Sequence, residues 1–228
     1  PGGYVFDSIP GIYHDVVVLD FKSLYPSIIR TFYVDPLAML DESGQQVPGF
    51  LGAFFSADSA ILPQIIKELW QARDHAKAES NSAVSQAIKI IMNSFYGVLG
   101  TLGCRFFDPK LVSSITLRGH EILQKTRDLI EDKGFKVIYG DTDSVFVHMQ
   151  SVSGRVPEHA EDLVVSLNNW WCEELNLSYK IKSHLEIEYE THFEKFFMPT
   201  IRGSEKGQQK KIRRCDYRAW CWPENNIQ

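Results

Sequence analysis

The sequence predicts an α+β fold: a small antiparallel sheet with helices on one face, and a helical hairpin inserted between the first strand and the rest. Three observations carry that expectation. Val16-Val-Val-Leu-Asp-Phe21 is a short, β-branched apolar run, which reads as a buried strand ending at Asp20. Val137 to Val147 holds two β-forming runs joined by Gly-Asp-Thr-Asp, the pattern of a tight hairpin. Between them, Leu62 to Ala78 and Ser85 to about Leu99 repeat apolar residues at helical spacing, separated by the polar Glu79-Ser-Asn-Ser82.

The remaining elements follow in order. Pro26 and the residues after it suit a short helix with proline in its first turn. A stretch rich in Gly, Pro, Ser and Asp, reaching about Ser59, is expected to be a loop. Pro109 to about Lys133 predicts a long helix stopped by Gly134, and Pro157 to about Glu174 another, amphipathic one. Tyr179 to Phe197 alternates well enough for one or two strands.

At 228 residues and 44% hydrophobic, the chain can form one large domain, or a compact body with an inserted subdomain. No apolar run is long enough to cross a bilayer, and Pro1-Gly-Gly-Tyr-Val5 has no feature of a signal peptide, so a cytoplasmic location is expected. The absence of a starting methionine suggests a reading frame that begins further upstream. Cys104, Cys172, Cys215 and Cys221 form no CxxC pair and read as buried or free thiols. The net charge of −5 conceals a polarised sequence. Glu186, Glu188, Glu190 and Glu194 precede a segment from Arg202 to Arg218 with seven basic residues against two acidic.

Singly, Asp20 reads as a strand-end group, and Asp141 and Asp143 as turn residues. Their combination says more. If the hairpin lies beside the first strand, Asp20 and Asp143 converge at one edge, and like charges that close call for a cation. Hard oxygen donors in small number suit Mg²⁺, which keeps waters and binds through one or two carboxylates plus substrate phosphates. Two such ions would serve phosphoryl transfer. Lys22-Ser-Leu-Tyr-Pro-Ser27 enters a helix whose free N–H groups could hold phosphate oxygens, and Arg73 and Lys89 fall on the two arms of the hairpin. Asn93, Tyr96 and Gly97 follow one or two turns beyond Lys89.

Asp20-Phe-Lys-Ser-Leu-Tyr-Pro-Ser-Ile-Ile29 resembles the DxxSLYPSII motif of the family B DNA polymerases. Lys89-Ile-Ile-Met-Asn-Ser-Phe-Tyr-Gly97 resembles their KxxxNSxYG motif, and Tyr139-Gly-Asp-Thr-Asp-Ser144 their YGDTDS motif, in the same order. Pro1-Gly-Gly-Tyr-Val5 is similar to the end of the YxGG motif, and Leu185-Glu-Ile-Glu-Tyr-Glu190 to the acidic strand after the third motif. The short hairpin, Lys89-Ile-Ile-Met-Asn93 and Met198-Pro-Thr-Ile-Arg-Gly203 look most like the bacterial members.

The resemblance implies a palm in two parts, residues 1–59 and 105–207, a fingers hairpin at 60–104, and a DNA-directed DNA polymerase activity on primer-template DNA and deoxynucleoside triphosphates. It implies that Asp20 and Asp143 hold two Mg²⁺ ions with the Phe21 carbonyl, and that Asp141 is a weaker ligand. Ser23 and Leu24 would offer backbone amides to the triphosphate, and Arg73 and Lys89 would grip its outer phosphates. Tyr25 would lie under the sugar and exclude a 2′-hydroxyl, with Asn93, Tyr96 and Gly97 lining the nascent base pair. Gly2, Gly3, Tyr139, Arg202, Lys210 and Lys211 would meet DNA, and Glu186 and Glu188 would be accessory carboxylates near the metals. The expected location narrows to the nucleoid, and a longer parent would have a sliding clamp as a further partner.

The pattern breaks after Gly207. Where the family has a Lys-Lys-Arg-Tyr-Ala-Gly segment, this chain has Lys210-Lys-Ile-Arg-Arg-Cys215. A permitted codon set restores the family segment when the adenine run gains two bases, so residues after about Lys211 are expected to be frameshifted; a divergent loop or basic tail at 208–228 is the alternative. With thumb and exonuclease missing, the chain is expected to extend primers poorly. An RRM-like binding module without chemistry and a nonfunctional remnant are the competing readings.

Overall fold

The computed structural model describes residues 2–150 and 154–199. In chain order the elements are β1 (Gly11–Phe21), α1 (Leu24–Thr31), α2 (Pro36–Leu40), β2 (Gln46–Pro48), β3 (Phe54–Ser56), α3 (Leu62–Ala78), α4 (Ser82–Leu99), α5 (Pro109–Asp132), β4 (Lys136–Asp141), β5 (Ser144–His148), α6 (Val156–Tyr179) and β6 (Ile187–Met198). The fold mixes helices with a small antiparallel sheet, as the apolar periodicities predict. Two expectations change. The segment expected to be a loop up to Ser59 contains α2 and a β2–β3 pair. The helix expected to end near Glu174 runs on to Tyr179. The last alternating stretch, expected to give one or two strands, gives one, β6.

The chain divides into two units. The first comprises Lys22–Glu121 and Trp170–Glu186 with Gly2. It holds α1, the small β2–β3 pair and the α3–α4 hairpin. Asn81 caps α4 by accepting the Val84 N–H, and Ile66, Ala76, Ile88 and Met92 are buried in the hairpin. The amphipathic spacing therefore closes on itself, with Leu99 buried as well and Trp70 and Tyr96 set against α1 residues.

The second unit comprises Gly3–Phe21, Ile122–Asn169 and the chain from Ile187. Its sheet has the order β4-β5-β1-β6 with every neighbour antiparallel. β1 is central, and Val16, Val17, Val18, Leu19 and Phe21 are all buried, which is why its sequence is a continuous apolar run and not an alternating one. One face packs Val16, Val18, Tyr139, Phe146, Phe196 and Met198 into a cluster. Asn168 of α6 clamps the start of β6, donating to the Ile187 carbonyl at 2.9 Å and accepting the Ile187 N–H at 2.8 Å.

Among the described residues no helix is long and apolar enough to cross a membrane. Cys104 and Cys172 are free thiols. The basic tail at 208–228, its proposed frameshift, and Arg202, Lys210 and Lys211 lie outside the described residues.

Candidate active site

Strand pairing decides where the acidic residues go. β1 pairs with β5 so that Asp20 lies opposite Ser144, and the Phe21 N–H donates to the Asp143 carbonyl at 2.8 Å. Asp143 thus stands at the turn beside the end of β1, in the same unit as Asp20 and Asp141. On the other side, β6 pairs with β1 through a register shift between Val18 and Leu19. Val18 opposes Thr191 but Leu19 opposes Tyr189, so Glu190 is the extra residue of a bulge. Because side chains alternate with period two, that one-residue slip puts Glu188 across from Asp20, where an unbroken ladder would place Tyr189.

The turn itself is held at several points. Thr142 has φ 57°, an uncommon conformation for a β-branched residue. Its hydroxyl donates to Asp141 Oδ1 at 2.8 Å and its N–H to the Tyr4 carbonyl at 2.7 Å. A Cβ on Gly3 would sit 2.2 Å from Thr142 Oγ1, so glycine there lets the N-terminal segment lie against the turn. A Cβ on Gly140 would sit 2.4 Å from Phe6. Gly3→Ala is therefore expected to displace Thr142 and lower stability by about 1–3 kcal/mol, checked by urea unfolding. An unchanged midpoint would mean that the N-terminal segment moves away without loss.

Among the described residues no group of three or more acidic, histidine or cysteine side chains is assembled at metal-binding spacing. Glu186, just before β6, forms an ion pair with Lys22. Tyr139, expected at a DNA surface, is 2% exposed and packs edge-on against Phe146 at 5.5 Å. Its ring belongs to the core.

The first unit carries a second constellation. Ser23, the N-cap of α1, is in the left-handed region at φ 46° and makes no side-chain cap, which leaves the first-turn amides of α1 without that usual partner. Lys22 fixes this turn: its N–H donates to the Glu186 carbonyl and its own carbonyl accepts from Ser27 Oγ at 3.0 Å. Tyr25 packs against Tyr96 of α4 with ring centroids 4.7 Å apart and the planes tilted by 48°, joining two sequence motifs. Arg73 Nε is shielded from solvent and has no hydrogen-bond partner among the described residues. Lys89, Asn93 and Gly97 lie exposed on α4. Arg30 stacks over Trp70 at 5.5 Å, and its pKa is lowered by burial. His184 is held at a pKa of about 4, mainly by burial and further by Arg30, Lys182 and Lys67.

Two residues of this unit drew no attention in the sequence. Asp35 is buried at the start of α2, and Arg118 is buried in α5 among three aromatic rings. A lone Asp before Pro signals a cap, but the second helix that Asp35 reaches has no local signal.

The family model described as DNA polymerase family B matches residues 1–200. DNA polymerase II of Escherichia coli (strain K12) is 52% identical over 218 residues, covering 92% of this chain and 28% of its own length. A DNA polymerase of Thermococcus gorgonarius is 31% identical over 215 residues, covering 87% of this chain and 26% of its own. The solved family B DNA polymerase of the hyperthermophilic archaeon Pyrobaculum calidifontis aligns at a TM-score of 0.62 and 26% identity, over 89% of this chain and 27% of that one. The chain thus spans about a quarter of the length of these relatives. With the match running through the sheet, the Asp-Thr-Asp turn and the helical hairpin alike, the chain belongs to family B of the DNA polymerases.

Proposed function

We propose that this chain carries the catalytic core of a DNA-directed DNA polymerase, which joins deoxynucleotides to a primer 3′ end by phosphoryl transfer with two Mg²⁺ ions. The observation that carries the reading is the β1–β5 register, which sets the end of β1 with Asp20 beside the Asp141-Thr-Asp143 turn. In this reading the sheet unit is an RRM-like palm and the α3–α4 hairpin the fingers. The donor set fits Mg²⁺: two carboxylates at neighbouring strand ends, with substrate phosphates and water supplying the rest, need no preformed cluster of three side chains. Asp20, Asp143 and the Phe21 carbonyl would hold the ions. Asp141 takes a lesser part, since its carboxylate already accepts the Thr142 hydroxyl. When bound, the ions activate the attacking oxygen and stabilise the leaving one.

Everything else is positioning by the chain. The amides of Ser23 and Leu24, at the uncapped start of α1, receive phosphate oxygens. Arg73 and Lys89 neutralise the outer phosphates. Tyr25, braced by Tyr96, forms the floor under the sugar and selects deoxynucleotides. Asn93, Tyr96 and Gly97 face the nascent base pair; among the described residues, a Cβ on Gly97 would meet nothing within 4 Å beyond its own stretch of helix. Glu188 is the accessory carboxylate, and Gly2, Gly3, Arg202, Lys210 and Lys211 are DNA contacts. A longer parent would add a sliding clamp and act at the nucleoid. The alternative of an RRM-like binding sheet needs open aromatics; Tyr139, Phe146 and Phe196 are buried together, while Phe197 of β6 is exposed.

A primer-extension assay with Mg²⁺ tests the proposal on this chain beside a version continued in frame through a thumb. We expect weak single-nucleotide addition by the 228-residue chain, which spans about a quarter of the length of its relatives and so offers fewer phosphate contacts than they do, and robust addition by the longer version. Failure of both to incorporate, with folded protein in hand, would leave the remnant reading.

A further inference from the structure

We propose that Asp35 is a positioning residue for triphosphate binding: one buried carboxylate caps two helices at once and so sets the direction of the helix that carries Arg73. The inference rests on the triphosphate role of Arg73 given above. Asp35 is 2% exposed. Its Oδ1 accepts the N–H groups of Leu37 and Ala38 at 2.7 and 2.9 Å, the ordinary capping of α2. Its Oδ2 accepts the N–H of Leu62 at 2.9 Å, the first residue of α3 and 27 positions away.

α3 has need of this partner. Its own N-cap, Ile61, has no side-chain oxygen and makes no cap hydrogen bond, and Pro63 has no N–H. Gln64 and Ile65 donate to the Ile61 carbonyl, which leaves Leu62 as the orphan donor of the first turn. A negative charge placed there also favours the positive end of a helix of 17 residues. Asp35 itself is fixed, since Val34 donates back to the Ile29 carbonyl of α1 at 3.2 Å, just after the left-handed Tyr33. The carboxylate therefore ties the segment after α1, the helix whose first turn bears Tyr25, to the first residue of α3, the helix that bears Arg73 in its second half. Two further contacts, Arg30 on Trp70 and Tyr25 on Tyr96, join α1 to the two arms of the hairpin. This bond fixes the first residue of α3 relative to the segment that follows α1.

Asp35→Asn separates the two caps at the level of one atom. The amide oxygen keeps the two donors of α2, while an NH₂ group replaces the oxygen that received Leu62. In the full 228-residue chain, dATP affinity with Mg²⁺ is measured by calorimetric titration and the Leu62 amide by hydrogen exchange. We expect Leu62 to exchange at least about tenfold faster and dATP binding to weaken about tenfold, with β1 exchange unchanged as proof of fold. Asp35→Ser, too short to reach α3, should give the same pattern. Faster Leu62 exchange with wild-type dATP affinity overturns the positioning role alone. No dATP binding by the wild-type chain overturns the triphosphate reading, and this inference with it.

Discussion

Asp20→Asn is expected to lower single-nucleotide incorporation about a thousandfold while leaving the fold intact. The substitution changes one oxygen to an NH₂ group and touches no backbone bond, so the pairing of Asp20 with Ser144 and Glu188 persists. What it removes is a formal charge at a strand end that has Asp143 beside it. Asp143→Asn should cost a similar factor, because Asp143 stands at the same edge, its carbonyl accepting the Phe21 N–H. Asp141→Asn should cost much less, about tenfold, since an asparagine oxygen can still accept the Thr142 hydroxyl that now binds Asp141 Oδ1. Without Mg²⁺, each change relieves repulsion between like charges, so thermal stability should stay level or rise slightly. Single-turnover incorporation with enzyme in excess, on this chain and on the thumb-continued version, measures all three. An equal loss at all three aspartates would show that the turn as a whole is being disturbed, and wild-type activity in Asp20→Asn would end the metal assignment.

The parts of this fold that could be read in advance are those where chemistry and periodicity coincide. β1 is buried on both faces and so writes itself as Val-Val-Val-Leu; α3 and α4 repeat their apolar stripes over four or more turns. The acidic turn and its partner strand are short and chemically distinctive. What stayed hidden depends on distance along the chain. Pro36–Leu40 is too short to show a period, and its cap Asp35 gives no hint that it also serves Leu62. Glu186 and Glu188 look equivalent in an alternating strand. Yet the first lies before β6 and pairs with Lys22, while a bulge two residues beyond the second turns it toward Asp20. No local pattern announces a bulge; it follows from how the sheet packs. Tyr139 illustrates the converse, for a residue within a loud motif can still serve mainly as core.

Arg118 is the sharpest case, because in the sequence it is one more basic residue on a helix and in the structure it is a hub. It is 7% exposed, with its guanidinium 4.4 Å from the ring centroid of Phe32, 5.0 Å from that of Phe50 and 5.4 Å from that of Tyr179. It donates to the Pro48 carbonyl at 2.8 Å, to Glu121 at 2.7 Å and to the Tyr179 hydroxyl at 3.2 Å. One planar cation thus joins the end of α1, β2, α5 and the end of α6 within the first unit. Arg118→Ala would strip three rings of their cation and leave the Pro48 carbonyl without this donor. The expected loss is about 3–4 kcal/mol, or a fall in Tm of about 10 °C. Arg118→Lys should recover only about half of it, since an ammonium cannot lie flat on the rings and reach two acceptors together. A Cβ on the next residue, Gly119, would lie 3.5 Å from Tyr25, so a shift of α5 should also change the surroundings of that ring. Hydrogen exchange at Gly49 and Phe50, whose amides bond to Ala53 and Ser114, should rise first. A variant that melts within about 2 °C of the wild type would place Arg118 back among the solvated helix charges, where the sequence alone would put it.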